Sequence, residues 1–391
     1  MKKIVLSFVL ILMCSVSFFY GEKFSVFASE EVLDIGAKSY VVVNENGSVL
    51  VEKDKDKKVE VASICKLMTT LIVLEKIEDK SLSLDDEFVV SEYASSIEGS
   101  QAFLDAGSKY FVRDLLKSVI VASANDSAVV LAENVAGSEK SFVSLMNDKC
   151  KVIGMKNTLY ANSTGLPAIN QYSTAYDTSL LLNVVSSYDL YVEYSQIWMD
   201  ELVHPSGRKT ELVNTNRLIK YYDYCLTGKT GFTDEAGYCL SSTSLKDNLK
   251  LTAVVLGCNS SADRFTDSMK LYNYAFANYE NEQIIKAGNL IENSIKISSS
   301  KVDKINVIFE KDFYLLKNKN KSNNYSIEYN LPTTLKAPIL EGQEVGYAMI
   351  IVDGIVVGEV NIVSAENYDK QTFGDILNKI TTNFNRLWCK K

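Results

Sequence analysis

The chain of 391 residues contains a single histidine, His204. A catalytic triad of serine, histidine and aspartate would have to use this residue. His204 lies in a short polar stretch with a proline, residues 203–207, which is typical of a loop. Because the sequence offers no second imidazole, a nucleophilic serine in this chain must obtain its base from another side chain, and lysine is the candidate.

The seven cysteines include no C-x-x-C pair. Together with the lack of histidine, this spacing argues against a metal site, and no cofactor is expected. Three of the cysteines, Cys65, Cys239 and Cys258, lie within apolar helix or strand patterns. A free thiol in such a place behaves as a small apolar side chain, so we expect buried thiols there.

The chain is also short of positive charge. It has 41 lysines and arginines against 49 aspartates and glutamates, a formal net charge of -8. Phosphate binding needs a basic face, and no stretch rich in lysine and arginine with interleaved aromatic residues is present. We therefore expect a solvated acidic surface and no nucleic-acid partner.

The N-terminus has the pattern of a secretory signal peptide. Two lysines at Lys2 and Lys3 precede an apolar run, residues 4–20, and a small-residue site ends at Ala28. We expect export and cleavage after Ala28. The alternative is a retained membrane anchor, since the apolar run is almost long enough to span a bilayer.

Ser63 and Lys66 form the first motif that carries chemistry. Apolar residues between Ile64 and Ile77 have the spacing of a buried helix, which would begin at Ser63. A spacing of three residues puts both side chains on one helical face, so the amine can take the proton of the hydroxyl. The helix N-terminus would also stabilise negative charge formed there. If Ser63 were only an N-cap, Lys66 among apolar neighbours would have no explanation.

Two further motifs follow in order. A helical pattern over residues 112–135 is broken at residues 122–126, where Ser123 and Asn125 could both face a cleft. The alternative is that Asn125 or Asp126 simply caps the second helix. The third motif, Lys229-Thr230-Gly231, ends a strand pattern that begins at residue 224 and contains glycines where another group approaches the backbone closely.

The surrounding patterns predict an α+β arrangement. A hairpin over residues 38–53, the strand of the third motif and a second hairpin (238–245 and 249–257) predict an antiparallel sheet covered by helices. An amphipathic helix over 267–279 would close this domain. Short alternating strands then predict a small β domain. These strands are residues 305–309, 326–329, 344–352 and 355–363.

The last segment, residues 373–388, predicts an amphipathic helix with one apolar face. Such a terminal helix suits a membrane interface, with Trp388 at the headgroup level and the final lysines on anionic lipid. It could equally pack on the β domain or pair with a copy of itself.

In this order the motifs resemble those of the low-molecular-mass penicillin-binding proteins that act as D-alanyl-D-alanine carboxypeptidases. The resemblance covers nearly the whole chain beyond residue 28. It extends to the stretches GMKNT (154–158), GLP (165–167), YSTAYD (172–177), NTNRL (214–218), KTGFT (229–233) and AGYC (236–239).

The resemblance implies a penicillin-binding transpeptidase-like, or β-lactamase-like, fold followed by a β-rich domain. The expected divisions are a signal peptide (1–28), a serine peptidase domain (29–280), a β-rich domain (281–368) and a membrane-anchoring helix (369–391). The implied location is the outer face of the bacterial cytoplasmic membrane, with peripheral attachment.

It also implies the site. Ser63 would attack the carbonyl between the last two D-alanines of a peptidoglycan stem peptide, with Lys66 as base. Ser123 would protonate the leaving D-alanine, and Asn125 would hold the substrate amide. The N–H groups of Ser63 and Phe232 would form the oxyanion hole. The residues expected to complete the site for the terminal carboxylate are Lys229, Thr230, Gly231 and Arg264.

β-Lactams are expected to acylate Ser63 as covalent inhibitors. A class A β-lactamase, one alternative, needs a deacylating carboxylate in an E-x-x-L-N stretch, and none lies between Asn125 and Lys229. A D,D-endopeptidase and a catalytically silent wall scaffold remain as alternatives. The chain departs from the family at Val59-Glu60-Val61 and at Gln171, where the family often has histidine.

Overall fold

The computed structural model describes residues 33–292, 295–321 and 324–388, and divides into two compact units between Ala275 and Phe276. The signal peptide predicted over residues 1–28 lies outside the described residues.

The first unit is built on one antiparallel sheet, with the strand order β2-β1-β9-β8-β7. Both predicted hairpins are present in it. The strands of the unit are β1 (Ser39–Asn44), β2 (Val49–Lys53), β3 (Glu87–Val89), β4 (Lys109–Phe111), β5 (Met199–Val203), β6 (Lys209–Val213), β7 (Cys225–Thr233), β8 (Gly237–Lys246) and β9 (Leu249–Cys258).

Helices surround this sheet, which confirms the predicted α+β class. They are α1 (Lys66–Glu78), α2 (Glu92–Ser96), α3 (Val112–Val121), α4 (Asn125–Ala136), α5 (Glu139–Ile153), α6 (Ala175–Val185), α7 (Asp189–Ser195), α8 (Leu218–Tyr221) and α9 (Ser261–Asn278). In α1 every residue from Lys66 to Leu74 is buried, so this helix runs through the core.

Helix α9 begins six residues before the predicted start at residue 267. The cause is local, because Ser260 Oγ accepts the backbone N–H of Asp263 at 3.1 Å and so caps the first turn.

The second unit contains short β sheets and one helix. Its core is formed by residues such as Val307, Ala348 and Val360, which are fully buried. The elements are β10 (Tyr279–Ile285), β11 (Ile295–Ser298), β12 (Lys304–Ile305), β13 (Val307–Phe309), β14 (Phe313–Asn318), β15 (Tyr325–Asn330), β16 (Thr334–Lys336), β17 (Glu344–Val352), β18 (Ile355–Ser364) and α10 (Phe373–Trp388).

The strand predicted over residues 305–309 is divided. Strand β12 pairs with β11, whereas β13 pairs with β18 in a different sheet. Between them the N–H of Asn306 donates to the hydroxyl of Tyr368 at 2.8 Å instead of to a neighbouring strand. The other three strands predicted for this unit are present as β15, β17 and β18. Within the described residues no helix is long and apolar enough to cross a bilayer.

Candidate active site

Ser63 lies on a short 3-10 turn, Ala62–Cys65, that leads directly into α1. Lys66, the first residue of α1, places its Nζ 3.0 Å from Ser63 Oγ. The same amine donates to the carbonyl oxygen of Thr164 at 2.7 Å. Neither the turn nor α1 has a side-chain cap, so the interpretation of Ser63 as an N-cap is wrong.

Backbone contacts hold this turn in place from two sides. Ala62 adopts a left-handed φ of 49°, and Gly165, with a φ of 80°, lies against the carbonyl of Ala62. A Cβ on Gly231 would lie 2.5 Å from the carbonyl oxygen of Val61. The turn therefore carries strain, and it requires glycine in the two segments that border it.

The amine of Lys66 is fully buried, and burial lowers its pKa to about 7. The negative charge of the Asp126 carboxylate opposes this shift. Near neutral pH the amine of Lys66 is therefore neutral in a large fraction of the molecules. An amine must be neutral to accept the proton of a hydroxyl.

The second motif occupies the link between α3 and α4. Ser123 has a left-handed φ of 63° and is 3% exposed, and its Oγ accepts a hydrogen bond from Lys229 Nζ at 2.7 Å. Strain of this kind in a non-glycine residue is common in functional sites.

Asn125 is fixed by the loop before β4. Its backbone N–H donates to the carbonyl of Ser100 at 2.7 Å, and its Nδ2 donates to the carbonyl of Glu98 at 2.5 Å. Its buried Oδ1 has no hydrogen-bond partner among the described residues, so it remains available to accept one. The residue before α4 is Ala124, so the alternative in which Asn125 or Asp126 caps this helix is wrong.

The third motif lies on β7, the edge strand of the main sheet. Lys229 is 2% exposed and donates to Ser123 Oγ and to the carbonyl of Thr230. Burial holds its pKa well below the ordinary value, and the positive charges of Lys66 and Arg264 lower it further. The structure thus forms two pairs, in each of which a buried amine contacts a serine hydroxyl. They are Lys66 with Ser63 and Lys229 with Ser123.

Thr230, Phe232 and Arg264 surround the end of β7. The hydroxyl of Thr230 donates to that of Thr215 at 2.7 Å. Phe232 is 47% exposed, and its ring stacks on Tyr238 with a centroid distance of 4.3 Å. Arg264 donates to the carbonyl of Gly231 at 3.2 Å, so its charge lies directly beside the strand.

Sequence reasoning missed three residues that the structure adds to this group. They are Thr164, Thr215 and Asp126. The carbonyl of Thr164 accepts from Lys66, and the hydroxyl of Thr215 accepts from Thr230. Asp126 is fully buried and accepts the N–H groups of Ala102 and Leu104. The only sequence signal was indirect, since Thr164 and Thr215 lie within or beside stretches that carry the resemblance.

His204 lies in the turn between β5 and β6, as the pattern predicted, but its side chain is buried. Its Nδ1 lies 2.7 Å from the hydroxyl of Tyr110, and its Nε2 lies 2.8 Å from that of Thr210. Burial and the charge of Arg208 lower its pKa. Both ring nitrogens are thus engaged by Tyr110 and Thr210, and Lys66 is the side chain that contacts Ser63.

The five cysteines within the described residues are buried free thiols. This confirms the expectation for Cys65, Cys239 and Cys258, and the other two are Cys150 and Cys225. Burial raises the pKa of the Cys65 thiol, next to the base, to about 12, so this thiol stays protonated.

Two family models match this chain. The model of a family described as D-alanyl-D-alanine carboxypeptidase matches residues 25–260, and that of the C-terminal domain of penicillin-binding protein 5 matches residues 279–370. The D-alanyl-D-alanine carboxypeptidase DacF of Bacillus subtilis (strain 168) is 34% identical over 339 residues, which are 86% of this chain and 87% of that protein.

Two further relatives bear on the fold and on the reaction. The crystal structure of the D-alanyl-D-alanine carboxypeptidase DacD from Francisella tularensis superposes with a TM-score of 0.66 at 30% identity, covering 90% of this chain and 98% of that one. A D-alanyl-D-alanine endopeptidase of Pseudomonas aeruginosa is 35% identical over 245 residues, 61% of this chain and 76% of that protein.

Proposed function

This chain belongs to the D-alanyl-D-alanine carboxypeptidase family, and on that premise we propose a role for each residue of its active site. The protein is a serine-type carboxypeptidase, a hydrolase that removes the terminal D-alanine from peptidoglycan stem peptides. It binds penicillin and acts on the cell wall, outside the cytoplasm.

The observation that supports the assignment of the nucleophile is the 3.0 Å separation of Lys66 Nζ and Ser63 Oγ. The neutral amine takes the hydroxyl proton as Ser63 Oγ attacks the carbonyl carbon of the penultimate D-alanine. The backbone N–H groups of Ser63 and Phe232 donate to the oxyanion that forms.

The second pair handles the leaving group. Ser123 Oγ accepts from Lys229 Nζ and therefore can direct its own proton elsewhere, towards the nitrogen of the departing D-alanine. The C–N bond breaks, the amine leaves with this proton, and Ser63 retains the acyl group as an ester. Lys229, protonated beside the bound carboxylate, returns a proton to Ser123 Oγ, and Lys66 releases to solvent the proton that it took from Ser63. Water then hydrolyses the ester, which gives the shortened peptide acid and the free hydroxyl of Ser63.

The substrate binds to groups that have a free hydrogen-bonding atom or that lie at the end of β7. The unpartnered Oδ1 of Asn125 accepts an amide N–H of the peptide. The terminal carboxylate binds beside Lys229 and Thr230, with Gly231 allowing close approach and Arg264 supplying positive charge. A bound carboxylate also raises the pKa of Lys229, because it is an opposite charge in a buried site.

The amphipathic helix α10 attaches the protein to the outer face of the cytoplasmic membrane. Thr372 Oγ1 accepts the N–H of Asp375 while the carboxylate of Asp375 accepts from Thr372, so the helix has a defined start. Four apolar side chains in its first half are exposed within the second unit. They are Phe373, Ile376, Leu377 and Ile380. An apolar face of this kind binds the interface of a bilayer.

The decisive experiment incubates the purified protein with diacetyl-lysyl-D-Ala-D-Ala and measures free D-alanine. We expect release by the native protein and none by Ser63→Ala, which should also lose covalent labelling by fluorescent penicillin. A folded native protein that releases no D-alanine would favour the silent scaffold. Rapid turnover of a chromogenic cephalosporin would instead identify a β-lactamase.

The similarity to an endopeptidase supports a second candidate activity, cleavage of D-alanyl crosslinks in the wall. The same acylation of Ser63 would serve it, with a larger leaving group. Purified crosslinked muropeptide dimers distinguish the two activities, since an endopeptidase converts them to monomers and a strict carboxypeptidase leaves the crosslink intact.

A further inference from the structure

The carbonyl that accepts from the catalytic amine belongs to a short segment, residues 162–166, organised by one side chain. Asn162 Oδ1 accepts from the N–H of Gly165 at 2.7 Å and from both the N–H and the hydroxyl of Thr164 at 3.2 Å. Asn162 Nδ2 donates to the carbonyl of Leu166 at 2.9 Å. Four hydrogen bonds of one amide thus fix the peptide that carries the Thr164 carbonyl.

A second amide holds this segment from outside. Gln171 Oε1 accepts the N–H groups of Ala161 and Asn162 at 3.0 and 3.2 Å, and its Nε2 donates to the carbonyl of Leu166 at 2.9 Å. Gln171 is one of the two positions where the sequence departs from its family. Its side chain is 8% exposed and contacts Asn162, the residue that fixes the base-holding carbonyl.

The geometry around the amine gives this segment a function. A neutral amine has two N–H groups and one lone pair, and a carbonyl oxygen can only accept. One N–H of Lys66 must therefore point at Thr164, 2.7 Å away. With that direction fixed, rotation of the amine about its last bond is restricted, and the lone pair can face Ser63 Oγ.

We propose that Asn162 is a positioning residue for the base, which acts through the Thr164 carbonyl to direct the lone pair of Lys66 at Ser63. The inference rests on the proposed function, because it assumes that Lys66 deprotonates Ser63. Asn162 itself touches neither of these two side chains in any described contact. Its effect must therefore appear in the rate of acylation and not in the affinity for the ligand.

Loosening this segment has two expected consequences. The lone pair loses its fixed direction, and misplacement by an ångström near the chemistry costs roughly 10- to 100-fold in rate. Water also reaches the amine. Because burial is the main cause of the lowered pKa of Lys66, hydration moves that pKa back towards its ordinary value.

The chain offers a matched control in Asn147. Its side chain binds the backbone of Tyr160 through both amide atoms, each at 2.9 Å, and it is half-buried like Asn162. It therefore clamps the same stretch of chain, two residues earlier, without holding the carbonyl that contacts Lys66.

The experiment measures acylation by fluorescent penicillin, from about pH 5 to about pH 9, for the native full chain, Asn162→Ala and Asn147→Ala. We expect Asn162→Ala to lower the acylation rate at saturating penicillin roughly 10- to 100-fold, with little change in the half-saturating concentration. The rising limb of its pH profile should move up by about one pH unit or more. Asn147→Ala should keep the native limb and a rate within about threefold of the native one.

The proposal would be overturned if Asn162→Ala kept both the native acylation rate and the native pH profile. It would also be overturned if the rate fell while the rising limb of the pH profile stayed in place. An equal effect of Asn147→Ala would do the same, since it would indicate general loosening. If Asn162→Ala does not fold, Gln171→Ala replaces it and must move the limb in the same direction, with an unmoved limb counting against the proposal. Failure of the proposed function would appear separately, as a native protein that is not labelled at Ser63.

Discussion

At the scale of single residues, burial in the site disfavours the protonated form of two amines. The pKa of Lys66 lies at about 7 against an ordinary value of 10.5, which corresponds to roughly 5 kcal/mol against the protonated form. Lys229 is shifted in the same direction. In the proposed mechanism, burial favours the neutral form of Lys66 before the substrate arrives, and a bound carboxylate would favour protonation of Lys229.

The first prediction concerns the pH dependence of acylation. If the free amine of Lys66 is the base, as proposed, the rate should rise with pH through about 7, the pKa of that amine, and level off above it. At pH 5 only about 1% of the amine is neutral, so the rate should be roughly 100-fold below its plateau. Stopped-flow measurement of penicillin acylation checks this, and a flat profile over this range would contradict it.

Lys66→Arg supplies the control for that prediction. Arginine has a long side chain like that of lysine, but it stays protonated in proteins and so cannot act as base. We expect acylation to fall at least about 1,000-fold at every pH, without a rising limb. The unfolding temperature of the variant should be measured beside the rate, so that loss of the base is not confused with loss of structure.

The second prediction concerns Gly231, which lies against the turn that carries Ser63, Ala62–Cys65. A Cβ there would lie 2.5 Å from the carbonyl oxygen of Val61, so Gly231→Ala must push β7 away from Ser63. We expect acylation to slow roughly 100-fold in a folded protein. Gly36→Ala is the matched control, because its Cβ would lie 3.6 Å from the nearest heavy atom, a carboxylate oxygen of Asp267, and should change the rate less than about twofold. Native kinetics in Gly231→Ala would show that the two segments are not in close contact in solution.

At the scale of elements, local sequence patterns predicted the helices, strands and turns that are determined by residues close together in the chain. The turn at residues 44–47 and the alternation around it predicted β1 and β2. The apolar spacing after Ser63 predicted a buried α1, and the break after residue 121 separated α3 from α4. In each case periodicity and turn chemistry act within a few residues, so the sequence alone carries the information.

The parts that could not be predicted depend on contacts between distant residues. The carbonyl that accepts from Lys66 lies 98 residues further along the chain, and no pattern around either residue identifies the other. The break at Asn306 has the same origin, because it depends on the hydroxyl of Tyr368. Strand β10 is largely polar, YENEQII, so its pairing with β14 gave no alternating signal.

The third prediction concerns the link from α4 to the loop that fixes Asn125. Asp126 accepts the backbone N–H groups of Ala102 and Leu104 through its two oxygens, at 3.0 and 3.1 Å. In Asp126→Asn one of these donors would face an NH2 group, so the free energy of unfolding should fall by about 2 to 4 kcal/mol. Because Asn125 is held by the same loop, D-alanine release should fall as well. Urea unfolding and the release assay measure the two effects.

Asp114→Asn is the control for this substitution. Asp114 lies in the first turn of α3, and its carboxylate is 3.9 Å from Lys117 in a partly exposed pair. Such a pair contributes less than about 1 kcal/mol, so this variant should unfold close to the native protein and keep its activity. Equal losses in the two variants would mean that the buried carboxylate has no special role.

At the scale of the whole molecule, each unit has its own hydrophobic core. The core of the first unit is centred on α1, with Leu67, Met68 and Leu71 fully buried. That of the second unit is formed by its sheets, with Ile350 and Ile362 fully buried. Helix α10 differs from both, because the apolar residues of its first half, Phe373, Ile376, Leu377 and Ile380, are exposed and available to bind a surface.

The last prediction concerns that helix. Phe373 and Ile380 are 77% and 57% exposed, and burying each in a bilayer contributes about 1.5 to 3 kcal/mol. In the full chain, changing both residues to serine should therefore weaken binding to phosphatidylglycerol vesicles roughly 100-fold or more, while release of D-alanine from a soluble peptide stays unchanged. Cosedimentation with vesicles measures the binding. The control Asn378→Ser changes the polar side of α10 and should bind as the native protein does. If the double variant sediments with the vesicles as well as the native chain, then α10 is not the attachment site, because its two most exposed apolar side chains would have been removed without effect.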